Sequence, residues 1–387
     1  MAQFKELYRS GLAQRYGKAM QIISGLHFNY SFSNSYLEKY NLNSSRSNDS
    51  SNDEIYLSVL RNIYRNNWLL LYLLGSSPVV SNNLLNKGEN DAVMIDSEYS
   101  YFPNSTSIRM SDMGYQNTIN EIDVSLSSVC EYTNSLRSAT NKFCNSFSDI
   151  SKESQISKNK LQIEDEYYSA ARPKSSAETD ERLANKLNKY GIQYVELRSI
   201  DINPFEPIGI NLETILFLEI FMIYCSITDS PEVSKQEFKD IRSNDLVVSK
   251  YGKASNLQLI KFGNKIDLKS EAKSILNKML MISELIDSID FNYSGIISKK
   301  IKHIDDSSLC PSSIFLDRFL SSNLSYFDFG SHIAEENKSN SLMSKPLKTK
   351  NLKKIKKESD ESIVRSRRLE DKDSVTFDTF LERYFEQ

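Results

Sequence analysis

The sequence has few of the residues that build common catalytic and metal-binding motifs. Among 387 residues it has 3 histidines and 4 cysteines, and no two cysteines form a CxxC pair. A zinc site is therefore not expected, and the cysteines are predicted to be small buried groups in a reducing compartment. GxxxxGK[ST], GxGxxG, HExxH and a nucleophile elbow are all missing. A nucleotide would have to be held through metal ions and side chains on a sheet.

Charge and hydropathy argue against two further classes of protein. The formal net charge is -3, which gives no overall attraction to nucleic acid or to an anionic membrane. The two most apolar stretches, 68–74 and 216–227, are too short to span a bilayer and are predicted to be buried helix segments. Residues 1–10 contain no apolar run of the kind that a secretory signal requires. We therefore expect a cytoplasmic protein with no membrane or nucleic-acid partner.

Periodicity predicts a mixture of helices and strands. Apolar residues recur at helical spacing over 4–24, and strict alternation predicts strands over 26–32 and 192–200. The pattern over 161–168 fits a helix and an extended segment equally well. Further helices are predicted over 54–74, 124–146, 212–227, 270–290 and 312–321.

The chain is predicted to divide into a catalytic region, 1–334, and a charged helical tail, 335–387. The tail contains the lysine-rich segment 345–357, followed by mixed acidic and basic residues. Such a tail could bind nucleic acid or an acidic partner, but a solvated helix is the commoner structure for this pattern.

A carboxylate and a guanidinium share one face of the second predicted strand. Residues two apart on a strand point the same way, so Glu196 and Arg198 project together. They could form a structural ion pair, which is the commoner outcome. They could instead be a divalent-metal ligand beside an arginine that neutralises phosphate.

Three other polar groupings could line a site, and each also has an ordinary structural explanation. Tyr8, Leu12 and Arg15 share a helical face, and His27 lies on the polar face of the first strand. The second grouping is a turn with Arg109, Asp112 and Tyr115. The third is Glu164, Glu166, Tyr168 and Arg172, which could form either a polar pocket or an exposed charged helix.

Taken together and in order, these segments resemble the bacterial glutamate–cysteine ligases of the gamma-proteobacterial type. The matching stretches are FKELYRSGLAQRYGKAMQIISGLHFNYSF at 4–32, RNIYRNNWLLLYLLGSSPVV at 61–80, SIRMSDMGYQN at 107–117, LQIEDEYYSAARPK at 161–174 and GIQYVELRSIDINPFEPIGI at 191–210. The resemblance implies an α+β fold related to glutamine synthetase, with a curved antiparallel sheet backed by helices. It also implies a reaction that joins the γ-carboxylate of glutamate to the amine of cysteine with ATP and Mg²⁺ (or Mn²⁺).

The resemblance assigns roles to residues of this chain. Glu196 corresponds to a magnesium ligand, Arg198 to the arginine that stabilises the transferred phosphoryl group, and His27 to the nucleotide–metal region. Arg109 corresponds to an arginine near the substrate carboxylate. The positions that match the cysteine pocket are Tyr8, Leu12, Tyr115 and Tyr168.

Relatives carry an acidic Glu-x-Glu strand upstream of the segment that matches residue 4. We therefore expect an N-terminally truncated member of the family, with some strands of the sheet and most metal-binding carboxylates missing. A separate N-terminal polypeptide could supply them. The alternatives are a non-catalytic remnant of the enzyme or a binding protein that uses its basic tail.

Overall fold

The computed structural model describes residues 2–43, 52–85, 88–114, 122–177, 181–343, 348–371 and 375–387. Within them, many helices surround small antiparallel sheets, and the predicted α+β class is confirmed. The helices are α1 Ala2–Tyr16, α2 Asn34–Asn43, α3 Asn52–Leu74, α4 Val129–Asn141, α5 Leu183–Tyr190, α6 Leu212–Ile227, α7 Lys235–Tyr251, α8 Leu268–Ile286, α9 Tyr293–Asp305, α10 Pro311–Ser322, α11 Tyr326–Met343, α12 Thr349–Asp371 and α13 Phe377–Glu386. The strands are β1 Leu26–Tyr30, β2 Val79–Ser81, β3 Val93–Met94, β4 Tyr99–Tyr101, β5 Ala171–Lys174, β6 Tyr194–Ile200, β7 Gln258–Lys261 and β8 Asn264–Asp267.

The sheet that carries the polar face has the strand order β1-β6-β5, and both pairs are antiparallel. The predicted alternation is confirmed in β1 and β6. Phe28, Leu197 and Ala171 are paired across the strands, and this apolar face packs against α3. The opposite face therefore carries the polar residues of all three strands. A register shift lies at His27, between Leu26 and Phe28.

The core is organised around α3, most of which is buried. Val59, Leu60 and Ile63 are completely inaccessible to solvent. A helix that is apolar on most of its surface must be covered, and α6, α7 and the β1-β6-β5 sheet pack against α3. In the part of the chain that the structure describes, none of the helices has both the length and the apolar character needed to span a bilayer.

Several predicted boundaries need correction, and others are confirmed. Helix α6 has the predicted bounds, and α3 begins two residues early. Helix α1 ends at Tyr16 and not near residue 24, because Gly17 takes the left-handed conformation (φ 91°) and its N–H closes the last turn on Ala13. Helix α4 begins later than predicted because the hydroxyl of Ser128 accepts a hydrogen bond from the N–H of Glu131 and caps it.

The four cysteines are free, and three of them are buried as predicted. Cys130 is exposed, so the expectation of a buried thiol is wrong there. It lies in the first turn of α4, on the side of that helix that faces solvent.

The segment beyond residue 335 is helical where it is described. The proposed division at 334–335 falls inside α11, and α12 is exposed along its whole length. Helix α13, in contrast, packs against α1. The ring centroid of Phe4 lies 4.8 Å from the ring centroid of Tyr384 and 5.6 Å from that of Phe380. At the end of the chain, the backbone oxygen of Gln387 accepts a hydrogen bond from Asn185.

The buried carboxyl group of Asp245 lies in α7 and faces α3. Its Oδ2 accepts a hydrogen bond of 2.8 Å from Asn67, while Oδ1 has no hydrogen-bond partner among the described residues. Burial raises the pKa of Asp245 to about 7. The folded state therefore holds a proton that the unfolded chain, with a pKa near 3.8, releases.

We expect the free energy of unfolding to fall as the pH rises from about 4 to about 7, because the folded state binds more protons over that range. Asp245→Asn should flatten this decline. Urea unfolding at pH 5 and at pH 8 measures the change in the free energy of unfolding in both proteins. Asp317→Asn, at an exposed position, controls for the general loss of an acidic group. An unchanged pH slope in Asp245→Asn would contradict the assignment.

Candidate active site

A cleft of ≈ 410 Å³ lies between α1, the segment that follows it, and the polar face of the sheet. Six of the residues to which the resemblance assigned roles line it: Tyr8, Leu12, His27, Arg109, Tyr168 and Arg198. Residues more than 180 positions apart in the chain are thus brought together. Glu196 is next to the cleft, in contact with His27. Tyr115 lies outside the described residues.

The strand register places Glu196 in a row with Asn29 on β1 and Arg172 on β5. Its side chain is 14% exposed, and its carboxylate has cationic and imidazole neighbours at long distances. Oε1 is 3.4 Å from Nδ1 of His27. Oε2 is 3.8 Å from Nζ of Lys174 and 3.9 Å from Nε of Arg198. One carboxylate is therefore shared among several partners.

The guanidinium groups of Arg172 and Arg198 are both largely buried beside this row. Nε of Arg172 and both Nε and Nη1 of Arg198 have no hydrogen-bond partner among the described residues. Burial lowers the pKa of Arg198, and the nearby charge of Arg172 lowers it further. The polar face of the sheet thus brings the positive charge of two arginines to the cleft, and three of their nitrogens are buried without a partner among the described residues.

The surroundings of His27 favour the neutral form of its imidazole. Burial lowers its pKa, the charge of Arg198 lowers it further, and Glu196 opposes both effects. With Nδ1 facing Glu196, a neutral ring can donate from that atom and keep a lone pair on Nε2.

The guanidinium of Arg109 is fixed by a buried carboxylate that sequence reasoning did not single out. Nε of Arg109 donates to Oδ1 of Asp201 at 2.6 Å. Asp201 also accepts hydrogen bonds from the hydroxyls of Ser107 (3.0 Å) and Ser77 (2.7 Å) and from the backbone N–H of Ser76 (2.8 Å). Four donors therefore hold this carboxylate, and it orients Arg109 at the wall of the cleft.

At Gly25 the backbone passes close to the guanidinium group of Arg109. A Cβ at this position would lie 2.5 Å from Cζ of Arg109 and 2.7 Å from the carbonyl oxygen of Ile200. Because Asp201 fixes Arg109 and Ile200 O belongs to the backbone, neither neighbour has room to move away. The close approach thus requires glycine.

The segment 161–170, whose conformation the sequence left open, contributes Asp165, Glu166 and Tyr168 to the lining of the cleft. It contains a short 3₁₀ turn over Glu164–Glu166 and then leads into β5, so an exposed charged helix is the wrong description. Glu166 is buried and accepts hydrogen bonds from Arg15 (3.1 Å) and Tyr16 (2.9 Å). The polar-pocket alternative does not hold for Glu164, which is buried in an ion pair of 2.6 Å with Arg182.

The described residues do not form a metal site by themselves. Among them there is no group of three or more His, Cys, Asp or Glu side chains that could hold an ion. Glu196 and the neutral His27 provide one carboxylate and one lone pair. This set fits a Mg²⁺ ion that arrives on the phosphates of a nucleotide and keeps much of its water, but not an ion held by protein alone.

Residues 1–248 match the sequence model of the glutamate–cysteine ligase family. This chain belongs to the glutamate–cysteine ligase family. It is 33% identical to the glutamate–cysteine ligase of Pseudomonas putida strain W619, over 99% of this chain and 75% of the relative. It is 34% identical to that of Alcanivorax borkumensis, over 85% of this chain and 66% of the relative. The chain thus spans about two thirds to three quarters of the length of these relatives.

A solved structure agrees with this assignment, and a second one shares the fold. The glutamate–cysteine ligase of Francisella tularensis, in complex with AMP, superposes with a TM-score of 0.91 at 30% identity, over 99% of this chain and 76% of that one. A bifunctional glutathione synthetase from Pasteurella multocida has a TM-score of 0.66 at 24% identity, over 86% of this chain and 38% of that one, and shows a shared fold.

Two residues of the site were missed as single candidates, and each had a weak signal in the sequence. Asp201 follows β6 at the point where that strand ends, and polar side chains at strand ends often carry function. Arg172 was grouped with three neighbours of an undecided segment. Its position opposite Glu196 depends on a strand pairing that no local pattern specifies.

Removing the carboxylate of Asp201 should destabilise the fold strongly. In Asp201→Asn the guanidinium of Arg109 stays buried without its counter-charge, which costs about 3–5 kcal/mol. The control is Asp123→Asn, which breaks the exposed pair Lys235–Asp123 (side chains 83% and 73% exposed) and should cost less than about 1 kcal/mol. Chemical denaturation of both variants measures the difference, and equal losses would refute the anchoring role.

Proposed function

We propose that this chain catalyses the ATP-dependent ligation of the γ-carboxylate of L-glutamate to the amine of L-cysteine, the first step of glutathione synthesis. Membership of the ligase family supports the reaction, and the AMP bound to the Francisella tularensis relative supports a nucleotide substrate. The cleft itself supports the proposal most directly. It is lined by Arg172 and Arg198, which have buried nitrogens without a partner among the described residues, and by Arg109, which is held in a fixed position.

The proposed reaction has two steps. A γ-carboxylate oxygen of glutamate attacks the γ-phosphorus of ATP, and ADP leaves. The cysteine nitrogen then attacks the acyl carbon, phosphate leaves, and the nitrogen loses a proton. Both steps develop or move negative charge on phosphoryl oxygens, which Arg198 is positioned to stabilise because its positively charged side chain lines the cleft.

The amino-acid substrates are proposed to bind on the α1 side of the cleft. Arg109, held by Asp201, would receive the substrate carboxylate through its remaining N–H groups. Tyr8, Leu12 and Tyr168 form the wall beside it and are proposed, with Tyr115, to enclose cysteine.

Mg²⁺ or Mn²⁺ enters the proposal as the partner of the nucleotide phosphates, whose charge it would neutralise when bound. Glu196 is the carboxylate available to it, with His27 in the nucleotide–metal region. A cytoplasmic location follows from the same proposal, because glutamate, cysteine and ATP are cytosolic metabolites.

The reaction is tested by incubating the purified chain with Mg-ATP, glutamate and cysteine. We expect ADP release that depends on both amino acids and a dipeptide product detected by mass spectrometry. Arg198→Met should lower kcat at least about a hundredfold, as loss of one transition-state donor does. The exposed Arg9→Met on α1 should leave kcat within about twofold.

An absence of product from the correctly folded wild-type chain would count against the proposal and for a non-catalytic remnant. Repeating the assay with an N-terminal fragment of a relative tests the predicted polypeptide partner. Product that appears only then would place part of the catalytic machinery in that partner.

A further inference from the structure

We propose that Arg172 is a second ligand of the transferred phosphoryl group, and that it forms with Arg198 a two-arginine site for a tetrahedral oxyanion. This deepens the proposed function, because it assigns the oxyanion of that reaction to a pair of residues on two neighbouring strands.

The strand register places the two arginines close together. Arg172 on β5 is directly opposite Glu196 on β6, and Arg198 lies two residues further along β6 on the same face. Such diagonal neighbours have backbones roughly 7–8 Å apart, within reach of long side chains. Both side chains line the cleft.

Burial without hydrogen bonds makes this pair unusual. The side chain of Arg172 is 4% exposed and that of Arg198 is 17% exposed. Three of their nitrogens are buried with no partner among the described residues: Nε of Arg172, and Nε and Nη1 of Arg198. Burying an unsatisfied charged donor is costly, and two like charges side by side add repulsion. An anion in the cleft would relieve both costs.

The nearby carboxylates do not satisfy these donors. Asp165 is 3.8 Å from Nη1 of Arg172, and its side chain is 46% exposed. Glu196 is 3.9 Å from Nε of Arg198 and is shared with Lys174 and His27. Distances of this size are ion pairs without hydrogen bonds. Three nitrogens of the two guanidinium groups therefore remain without an acceptor among the described residues, and a bound anion could accept from these groups.

A tetrahedral oxyanion fits this geometry better than a carboxylate does. Each guanidinium is a rigid fork that takes two oxygens, so two forks on different strands need an anion with at least three oxygens. Phosphate provides at least three oxygens, and its negative charge can balance the positive charges of both arginines. A planar carboxylate has only two oxygens, and Arg109 is already positioned for one.

Inorganic phosphate is the probe, titrated into the full chain by calorimetry at fixed ionic strength. Arg172→Met should weaken phosphate binding at least about tenfold, as loss of a charge-assisted donor does. Lys174→Met is the matched control. It removes one positive charge from the same face of the same strand, but Lys174 is paired with Asp165 (3.4 Å). It should weaken binding less than about threefold.

Arg172→Lys separates charge from geometry. It keeps the positive charge and loses the fork, so we expect it to lose most of the affinity that Arg172→Met loses. Thermal melting establishes whether each variant is folded. If Arg172→Met is not folded, the comparison of wild type with Arg172→Lys decides the question. Equal phosphate affinity in wild type and Arg172→Lys, or equal loss in Arg172→Met and Lys174→Met, would overturn the proposal.

Two further measurements separate phosphate from other anions and this inference from the ligase proposal. Glutamate should not displace phosphate from the wild-type chain, and displacement would assign the arginines to a carboxylate instead. If no ligase product forms while phosphate binding still depends on Arg172, the ligase proposal fails and the two-arginine site stands. If product forms at the wild-type rate in Arg172→Met, the site is refuted and the ligase proposal stands.

Discussion

Antiparallel pairing of β6 with both β1 and β5 determines which charges meet in the cleft. It places Glu196 between Asn29 and Arg172 and directs Arg198 to the same face, while Phe28 and Leu197 are directed to the core. A slip of one residue would exchange the two faces, burying the charges against α3 and exposing the apolar residues. The packing of α3 therefore protects the register, and the register assembles the site.

Local patterns predicted the elements well, and the long-range pairings poorly. The alternation around Phe28 and Val195 was sufficient to identify both strands, and the apolar run of α6 fixed its bounds. The end of α1 was mispredicted because the left-handed conformation of Gly17 is a backbone property that apolar spacing does not report. Family resemblance named six of the residues that line the cleft, and Arg172 was named only within a segment of undecided conformation, whereas Asp201 emerged only from contacts between distant segments.

The balance of charge around Glu196 differs from that of a protein-enclosed metal site. Its carboxylate already faces His27, Lys174 and Arg198, so an incoming cation would compete with side chains for the same oxygens. A bound nucleotide would change this competition, because its phosphate oxygens can replace the carboxylate of Glu196 as partners of the arginines. The carboxylate would then be available to a metal ion. Nucleotide and metal would then bind cooperatively, each reducing the desolvation and repulsion that the other meets.

The packing of α13 on α1 links the two ends of the described fold. Phe4 is enclosed by Phe380 and Tyr384, and α1 also carries Tyr8 and Leu12 into the cleft. During synthesis α1 leaves the ribosome long before its aromatic partners in α13 exist, so Phe4 is covered only after nearly all of the described chain has been made. Local helices and the α3 core can form earlier. Complete packing of α1, which carries Tyr8 and Leu12 into the cleft, is thereby a late event of translation, and a ribosome stalled before α13 would hold a chain with an organised interior and an incompletely covered α1.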